Sequence, residues 1–425
     1  NTTYLDVLKN ISTRAAQYGI YTLLDMHQDV LSEAFCGEGI PKWAVHSDYG
    51  FHFFKGFPAP LAKAYTDKDE VGFPTRQDCA KFNWPNYYQS EATASAFQAL
   101  YSNQSGLLDA WGEMWAFVAK YFKDDPNILG LELINEPYAG NFYTDPLIMV
   151  PIGKTSADVR NLGPAYDALL AKIRREDSER LVMFAGVTWD DLGSTFTHTP
   201  LNDKERTILA YHYYTPPQLK PDKPIKANLQ FAVQMREARR LGTGLMLTET
   251  CNPVCAGDFT HVADAADAHR QSFASWEWKT FCRESDESKK GKSQWAAYGS
   301  CKTGYGPTWN ATTGLPRIVK PYARTYPQRV AGNISAYNFD TETGHFKLQF
   351  SLDKTIATTS TTEIFVSKEY YYQKDLVVKV APAGVMNYKY VEEKRAVVLT
   401  VAASKMALSS SEEPIVVTVD IQSGI

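Results

Sequence analysis

The stretch "GLLDAWGEMWAFVAKYF" (106–122) followed by "ILGLELINEP" (128–137) decides the predicted fold. The first segment repeats apolar residues with a helical period, and the second is a short apolar run typical of a buried strand. The same coupling of a helix to a strand recurs along the chain up to about residue 280. Strands that alternate with helices predict a parallel α/β protein. Five further strands are predicted at "IYTLLDMH" (20–27), "RLVMFAG" (180–186), "TILAYHYYTP" (207–216), "GLMLTET" (244–250) and "ASWEWK" (274–279).

We predict a (β/α)8 TIM-type barrel that lacks its first two strands in this chain. A closed barrel of this type needs about eight strands, whereas six are visible and the chain opens with an amphipathic helix. An open sheet is the alternative, but its edge would leave strand hydrogen-bonding groups unpaired. We therefore expect a missing N-terminal segment, on this chain or on a separate N-terminal chain, to supply the two strands.

The pattern changes at about residue 325, where short runs of alternating polar and apolar residues begin. "AYNFDTETGHFKLQFSL" (336–352) reads as two strands around a turn, and similar runs continue to residue 421. This region is predicted to be a C-terminal antiparallel β-sandwich. The expected domains are a catalytic barrel over 1–322 and the sandwich over 323–425.

Composition limits the possible partners and cofactors. The chain has 44 basic and 48 acidic residues with no basic run, so nucleic acid is not an expected partner. The six cysteines have no zinc-site spacing, and we predict neither a metal nor a cofactor. Disulfides are favoured over free thiols, with Cys36 paired to Cys79, Cys251 to Cys255 and Cys282 to Cys301. Together with the sequons at Asn1, Asn10, Asn103, Asn310 and Asn333, they predict a secreted or endolysosomal protein.

Polar side chains stand at the ends of several predicted strands. In a parallel barrel the active site gathers at the carboxyl ends of the strands, so these residues are candidates for chemistry. A single glutamate after an apolar run is usually a surface or capping residue, but two on separate strands favour a shared site. The candidates are His27, Asp29, Asn135, Glu136, His212, Tyr214, Glu249 and Trp276.

Two facing carboxylates are what glycosidic cleavage requires. One is protonated and releases the leaving oxygen, while the other stays ionised and attacks the anomeric carbon. Asn135 is expected to donate a hydrogen bond to the substrate 2-hydroxyl, a contact that strengthens in the transition state.

"LINEP" (133–137), "HYY" (212–214) and "LTET" (247–250) resemble the retaining glycoside hydrolases of clan A, family five. The resemblance implies that Glu136 is the acid/base and Glu249 the nucleophile, with Tyr214 orienting Glu249. It also implies a tryptophan under the sugar site after the last strand. Trp276 and Trp278 are both candidates, and strand alternation favours Trp276.

Two longer segments resemble the endoglycoceramidases and related glycosylceramidases of that family. These are "LLDMHQDVLSEAFCGEGIPKWAV" (23–45) and "VKPYARTYPQRVAGNISAYNFD" (319–340). The resemblance implies a retaining β-glycosidase that cuts glycosphingolipids between the sugar and ceramide. The sequence departs from the family in "ETCNPVC" (249–255) and in lacking the first two strands, which carry a basic residue near the catalytic pair.

The lipid end of such a substrate has its own candidate segment. Residues 49–61 carry Phe51, Phe53, Phe54, Phe57 and Leu61 without a clean helix or strand period. Two interpretations of this segment stay open: contact with a membrane surface or acyl chain, and a hydrophobic mini-core under a long loop. Two other functions stay open: a non-catalytic glycan- or lipid-binding protein on a glycosidase scaffold, and a family-five β-glucanase or β-glucosidase.

Overall fold

The computed structural model describes residues 2–45, 65–150, 153–188, 193–214, 224–251, 259–278, 317–353, 355, 360–402 and 414–424. The segment 49–61 and the cysteines Cys255, Cys282 and Cys301 lie outside the described residues. The chain forms two compact units: Asn1–His212 with Ala232–Met246, and Tyr213–Phe231 with Leu247–Ile425. The domain boundary predicted at residue 322 stays a prediction.

A five-stranded sheet forms the centre of the predicted barrel region, with the strands in chain order. The strands are β1 (Thr22–Asp25), β2 (Ile128–Glu132), β3 (Leu181–Ala185), β4 (Thr207–Tyr213) and β5 (Gly244–Thr250). The pairs from β1 to β4 are parallel. Gly130 permits the close approach of β2 and β3, because a Cβ there would lie 2.9 Å from the Leu181 carbonyl oxygen. The predicted α/β class is therefore confirmed.

Helices alternate with these strands along the chain. They are α1 (Thr2–Ala16), α2 (Arg76–Cys79), α3 (Trp84–Tyr88), α4 (Glu91–Tyr101), α5 (Leu107–Phe122), α6 (Gly163–Glu176), α7 (Pro224–Leu241) and α8 (Phe259–His269). In the first unit, apolar side chains of α5 and α6 pack with those of β2 and β3 in one core, which includes Trp115, Leu131 and Leu169. Burial of these large side chains, rather than helix propensity, stabilises this layer. Each helix in the described ranges is too short or too polar to cross a bilayer.

The predicted strand at 274–279 is less regular than expected. Leu247 bridges Phe273 and Cys251 bridges Trp276, both in the parallel sense, but no continuous strand is present in the described part of this segment. The two bridges are four residues apart on the β5 side, from Leu247 to Cys251, but only three residues apart on the other side, from Phe273 to Trp276. This one-residue irregularity, like a bulge, interrupts the ladder and re-aims the side chains that follow it.

The C-terminal residues form two four-stranded antiparallel sheets, as the alternating pattern predicts. One has the order β10-β13-β8-β7 and the other β11-β12-β9-β6. The strands are β6 (Tyr326–Arg329), β7 (Gly332–Phe339), β8 (Phe346–Leu352), β9 (Thr362–Phe365), β10 (Leu376–Ala381), β11 (Met386–Val391), β12 (Ala396–Val401) and β13 (Val416–Ser423). Alternate residues of both sheets meet in one apolar core, which includes Phe350, Ile364 and Leu399. The predicted sandwich is confirmed.

Candidate active site

The end of β2 carries Asn135 and Glu136 in a constrained backbone. Glu136 has a φ of +39°, in the left-handed region that few non-glycine residues adopt. The buried Gln28 side chain holds this turn, because its Nε2 donates to the carbonyl oxygens of Asn135 at 2.6 Å and Glu136 at 2.9 Å. Gln28 Oε1 accepts from the Leu31 backbone at 2.7 Å, which fixes the amide orientation. The direction of the Glu136 side chain is therefore set by hydrogen bonds from another strand end.

Glu136 has an imidazole partner in the same unit. His212 Nδ1 lies 3.0 Å from Glu136 Oε1, and the two side chains are only 14% and 13% exposed. The pair joins the ends of β2 and β4, as the sequence predicts for side chains that end parallel strands. A half-buried carboxyl next to a group that exchanges protons suits acid/base work.

His27 lies at the end of β1 between two carboxylates. Its Nδ1 is 3.0 Å from Asp25 Oδ2, and its Nε2 is 3.7 Å from Asp29 Oδ2. Burial lowers the pKa of His27, but Asp25 and Asp29 together outweigh burial and raise it to about 10. His27 is therefore an imidazolium at neutral pH. Asn135 Nδ2 lies 3.5 Å from His27 Nε2 and donates to the Gln28 carbonyl oxygen at 3.0 Å.

Three side chains near the end of β1 are close enough together to bind a metal ion. His27, Asp29 and Glu38 each bring one potential ligand atom to within 4.8 Å of the others. A metal ligand must be the neutral imidazole, because an imidazolium has no free lone pair. His27 Nδ1 faces Asp25 and Nε2 faces Asp29, so these side chains offer a donor and an acceptor to sugar hydroxyls.

The second unit holds the other candidate carboxylate. Glu249 lies near the end of β5, and Tyr214 Oη donates to Glu249 Oε1 at 2.7 Å. Thr250 Oγ1 donates to the Tyr213 carbonyl oxygen at 2.7 Å, which fixes the chain next to both residues. A phenol remains a donor up to about pH 10, so Tyr214 stabilises the ionised form of Glu249.

The two candidate tryptophans occupy different surroundings in the second unit. The Trp276 backbone donates to the Thr250 carbonyl oxygen at 2.7 Å, which places Trp276 one residue beyond Glu249 on β5. Trp278 stacks edge-on against Tyr322, with ring centroids 5.8 Å apart. Trp276 is 37% exposed and Trp278 is 51% exposed, so each ring has part of its surface in contact with solvent. The preference for Trp276 as the sugar platform stays a prediction.

Salt bridges connect α8, the helix that precedes the tryptophan segment, to the start of the sandwich. Arg324 Nη2 pairs with Asp264 at 2.7 Å and Asp267 at 2.5 Å, both on α8. Arg270, just after α8, donates to the Ser335 carbonyl oxygen on β7. The sandwich therefore supports the helix that leads into the Trp276 segment.

The predicted disulfides are described in part. Cys36 and Cys79 are bonded, with their Cα atoms 5.4 Å apart, so this pairing is confirmed. Cys251 is also disulfide-bonded. The pairings that involve Cys255, Cys282 and Cys301 stay predictions.

Gln28 and Asp25 are the residues that the sequence reasoning missed. A glutamine between His27 and Asp29 points to the opposite face of an extended segment, where a buried amide needs partners. Asp25 precedes His27 by two positions and so shares its face. Both signals were present in the alternation of polar residues at the end of "LLDMHQD" (23–29).

The chain matches two models of one enzyme family. Residues 77–282 match the family model for cellulase (glycosyl hydrolase family 5), and residues 324–411 match that for the glycoside hydrolase family 5 C-terminal domain. The chain is 39% identical over 402 residues to an endoglycoceramidase from Cyanea nozakii, covering 93% of this chain and 74% of the relative. The chain belongs to the endoglycoceramidases of glycoside hydrolase family 5.

A second relative agrees with this membership, and a solved structure shows a similar fold. An endoglycoceramidase from Hydra vulgaris is 36% identical over 417 residues, covering 96% of this chain and 74% of the relative. The fold is similar to that of endo-glycoceramidase II from Rhodococcus sp. in its lactosyl-enzyme intermediate, with a TM-score of 0.71 and 20% identity. That alignment covers 100% of this chain and 85% of the other. The same Rhodococcus enzyme has also been solved in complex with ganglioside GM3.

Proposed function

We propose that the protein is a retaining β-glycosidase that hydrolyses the bond between sugar and ceramide in glycosphingolipids. The observation that carries the proposal is the contrast in partners: Glu136 has an imidazole 3.0 Å away, and Glu249 accepts from a phenol at 2.7 Å. These partners suit a carboxyl that transfers a proton and a carboxylate that acts as a nucleophile. The endoglycoceramidases at 39% and 36% identity supply the substrate class.

The reaction proceeds by double displacement. The Glu249 carboxylate attacks the anomeric carbon while the bond to the ceramide oxygen breaks, and Glu136 gives its proton to that oxygen. Glu136, now ionised, takes a proton from water. The resulting nucleophile attacks the same carbon and releases Glu249 as a carboxylate. Asn135, His27 and Asp29 orient the sugar hydroxyls during both steps.

The experiment compares lactosylceramide with a soluble aryl β-lactoside. We expect release of lactose and intact ceramide from the first substrate and of lactose from the second. Binding of the glycolipid without hydrolysis of either substrate would contradict the proposal and favour a binding protein. Hydrolysis of β-glucan in preference to lactosylceramide would favour a family-five glucanase.

We also propose that a further polypeptide segment, on this chain or on a separate N-terminal chain, pairs with the free edge of β1. Among the described residues, β1 pairs only with β2. Helix α1 exposes Tyr4, Val7 and Ile11, which share one face at helical spacing. Intact mass of the active protein, reduced and non-reduced, tests this proposal. Full activity of a 47.7 kDa species alone would contradict it.

A lipid-contact surface is proposed at 49–61, which lies outside the described residues. Its flanks support the proposal, because Trp43 and Val71 are exposed. The Cys36–Cys79 disulfide and the hydrogen bond from Lys42 Nζ to the Val71 carbonyl oxygen hold these flanks together. Replacing Phe53 and Phe54 with Ser should weaken hydrolysis of lactosylceramide and leave the aryl lactoside unaffected. Equal loss on both substrates would indicate a mini-core instead.

A secretory or endolysosomal route is also proposed. The Cys36–Cys79 disulfide is typical of an oxidising compartment. Asn10 and Asn333 are exposed, so their sequons are open to glycans. Glycosidase treatment of the native protein should lower its mass. Unmodified asparagines with reduced cysteines would contradict this route.

A further inference from the structure

One face of β1 carries an apolar residue, Leu23, followed by the polar residues Asp25 and His27. Leu23 packs against the buried residues Met183, Ala185 and Ala210 of neighbouring strands. Because side chains alternate along a strand, Asp25 points to the same side as Leu23, followed by His27. The double displacement described above gives Asp25 no part in the reaction. Its one hydrogen bond described here is to His27, at 3.0 Å.

The surroundings of His27 are strongly acidic. Glu132 is the register partner of Asp25 on β2, and the Glu38 backbone pairs with that of Asp29. Asp25 and Asp29 lie 3.0 Å and 3.7 Å from the ring nitrogens, and a Glu38 oxygen lies within 4.8 Å of a ring nitrogen. Further titratable side chains on neighbouring elements include Glu132, Glu136 and Tyr88. Carboxylates this close attract one proton or one cation into their midst. The His27 ring is placed to be that cation.

We propose that Asp25 is a positioning residue, whose carboxylate fixes the His27 ring in one orientation and in its charged form for sugar binding. With Asp25 on Nδ1, the remaining N–H of His27 is directed from Nε2 toward Asp29, 3.7 Å away. His27 and Asp29 then form a fixed donor and acceptor pair for one sugar hydroxyl. The sugar-binding part rests on the proposed function, whereas the charge and orientation of His27 do not.

The charge on His27 determines which hydrogen bonds the neighbouring Asn135 amide can make. A charged His27 donates from both ring nitrogens and accepts from neither. The contact of 3.5 Å between Asn135 Nδ2 and His27 Nε2 is then not a hydrogen bond, and Asn135 donates to the Gln28 carbonyl oxygen. His27 is also excluded as a general base. A neutral His27 would accept from Asn135 and change the amide's orientation toward the substrate.

The test is Asp25→Asn, which preserves the shape and removes the charge. Proton-coupled nitrogen spectra of histidine-labelled protein, assigned with His27→Gln, report the protonation of His27 without any substrate. We expect wild-type His27 to stay an imidazolium from pH 5 to about 8.5, and the variant His27 to lose its proton within about pH 5–8. At pH 7, kcat/KM should fall about 10- to 100-fold, in line with the loss of one hydrogen bond between charged groups.

The pH profile separates positioning from a purely structural role. In Asp25→Asn, kcat/KM should gain an ionisation that matches the spectroscopic one, with activity lost on its alkaline side. Asp420→Asn is the matched control, because Asp420 lies 3.0 Å from His345 in the sandwich. This control should keep the wild-type profile.

Three results would overturn the inference. The first is a wild-type His27 that titrates near neutral pH, and the second is an Asp25→Asn variant with unchanged His27 spectra. The third is an unchanged kcat/KM profile in that variant despite altered spectra. If the wild-type protein hydrolysed no glycoside at all, the proposed function would fail, while the spectra would still decide the state of His27.

Discussion

Glu136 and Glu249 look alike in sequence, since each ends an apolar strand, yet the structure gives them different partners. Glu136 belongs to the first unit, where His212 lies 3.0 Å from its carboxyl and Gln28 holds its backbone. Glu249 belongs to the second unit, where Tyr214 donates to it at 2.7 Å. An imidazole can take up or return a proton at working pH, whereas a phenol only donates. The difference in these two partners favours the proposed difference in role between two identical side chains.

The largest effect is expected from Glu249→Ser. This variant has no attacking carboxylate, so hydrolysis of lactosylceramide and of the aryl lactoside should both fall by about 10⁴-fold or more. Glycolipid binding should persist, because the sugar contacts of the first unit are unchanged. Glu393→Ser, at an exposed glutamate of the sandwich, is the control and should keep full activity. Wild-type activity in Glu249→Ser would reject the mechanism.

Glu136→Ala should reduce hydrolysis of lactosylceramide much more than formation of the glycosyl-enzyme from an aryl lactoside, unlike Glu249→Ser. Ceramide is a poor leaving group that needs a proton, so its release should fall about 10²- to 10⁴-fold. An aryl lactoside with a good leaving group should still form the glycosyl-enzyme and lose much less in that step. Pre-steady-state release of the phenol measures this difference. Equal losses on both substrates would show that Glu136 is not the acid.

Tyr214→Phe should produce a smaller loss than either glutamate variant. Removing a donor from an ionised carboxylate costs about 1.5 to 3 kcal/mol, which corresponds to about 10- to 100-fold in kcat. The fold should be retained, because the ring is preserved. Tyr388→Phe removes an exposed hydroxyl from the sandwich and serves as the control. A Tyr214→Phe variant with normal kcat would remove the argument that this phenol orients Glu249.

Gln28→Met should have the smallest effect on activity and a measurable one on stability. The substitution keeps the length of the side chain but leaves two carbonyl groups without their donor. We expect a loss of about 1 to 3 kcal/mol in unfolding free energy, and about a tenfold loss of kcat on lactosylceramide. Urea unfolding and initial rates measure both. Unchanged stability together with unchanged kcat would show that Gln28 does not hold the Glu136 turn.

The sequence predicted most of the strands and the strand ends that carry the candidate residues. The spacing of apolar residues alone distinguishes the helix α5 from the strand β2. Polar residues that follow apolar runs indicate the candidate residues His27, Glu136, His212 and Glu249. The sandwich follows from alternation with period two. These signals are local, so one sequence is enough to find them.

The features that the sequence did not predict depend on contacts between residues that are far apart in the chain. The hydrogen bonds of Gln28 join positions 107 and 108 residues apart, and no local pattern encodes them. The described part of the predicted strand, residues 274–278, is not a continuous strand, because its register against β5 shifts by one residue. The same limit applies to His27, whose charge depends on the carboxylates that the fold gathers around it.

The central claim is that Glu249 becomes covalently bound to the sugar while Glu136 transfers the proton. A 2-deoxy-2-fluoro-β-lactoside with a good leaving group tests it, because the fluorine slows release of the glycosyl-enzyme. Peptide mapping of the labelled protein should find one fluorolactosyl group, attached to Glu249. A label on another residue, or turnover to the α-anomer without any label, would contradict the account.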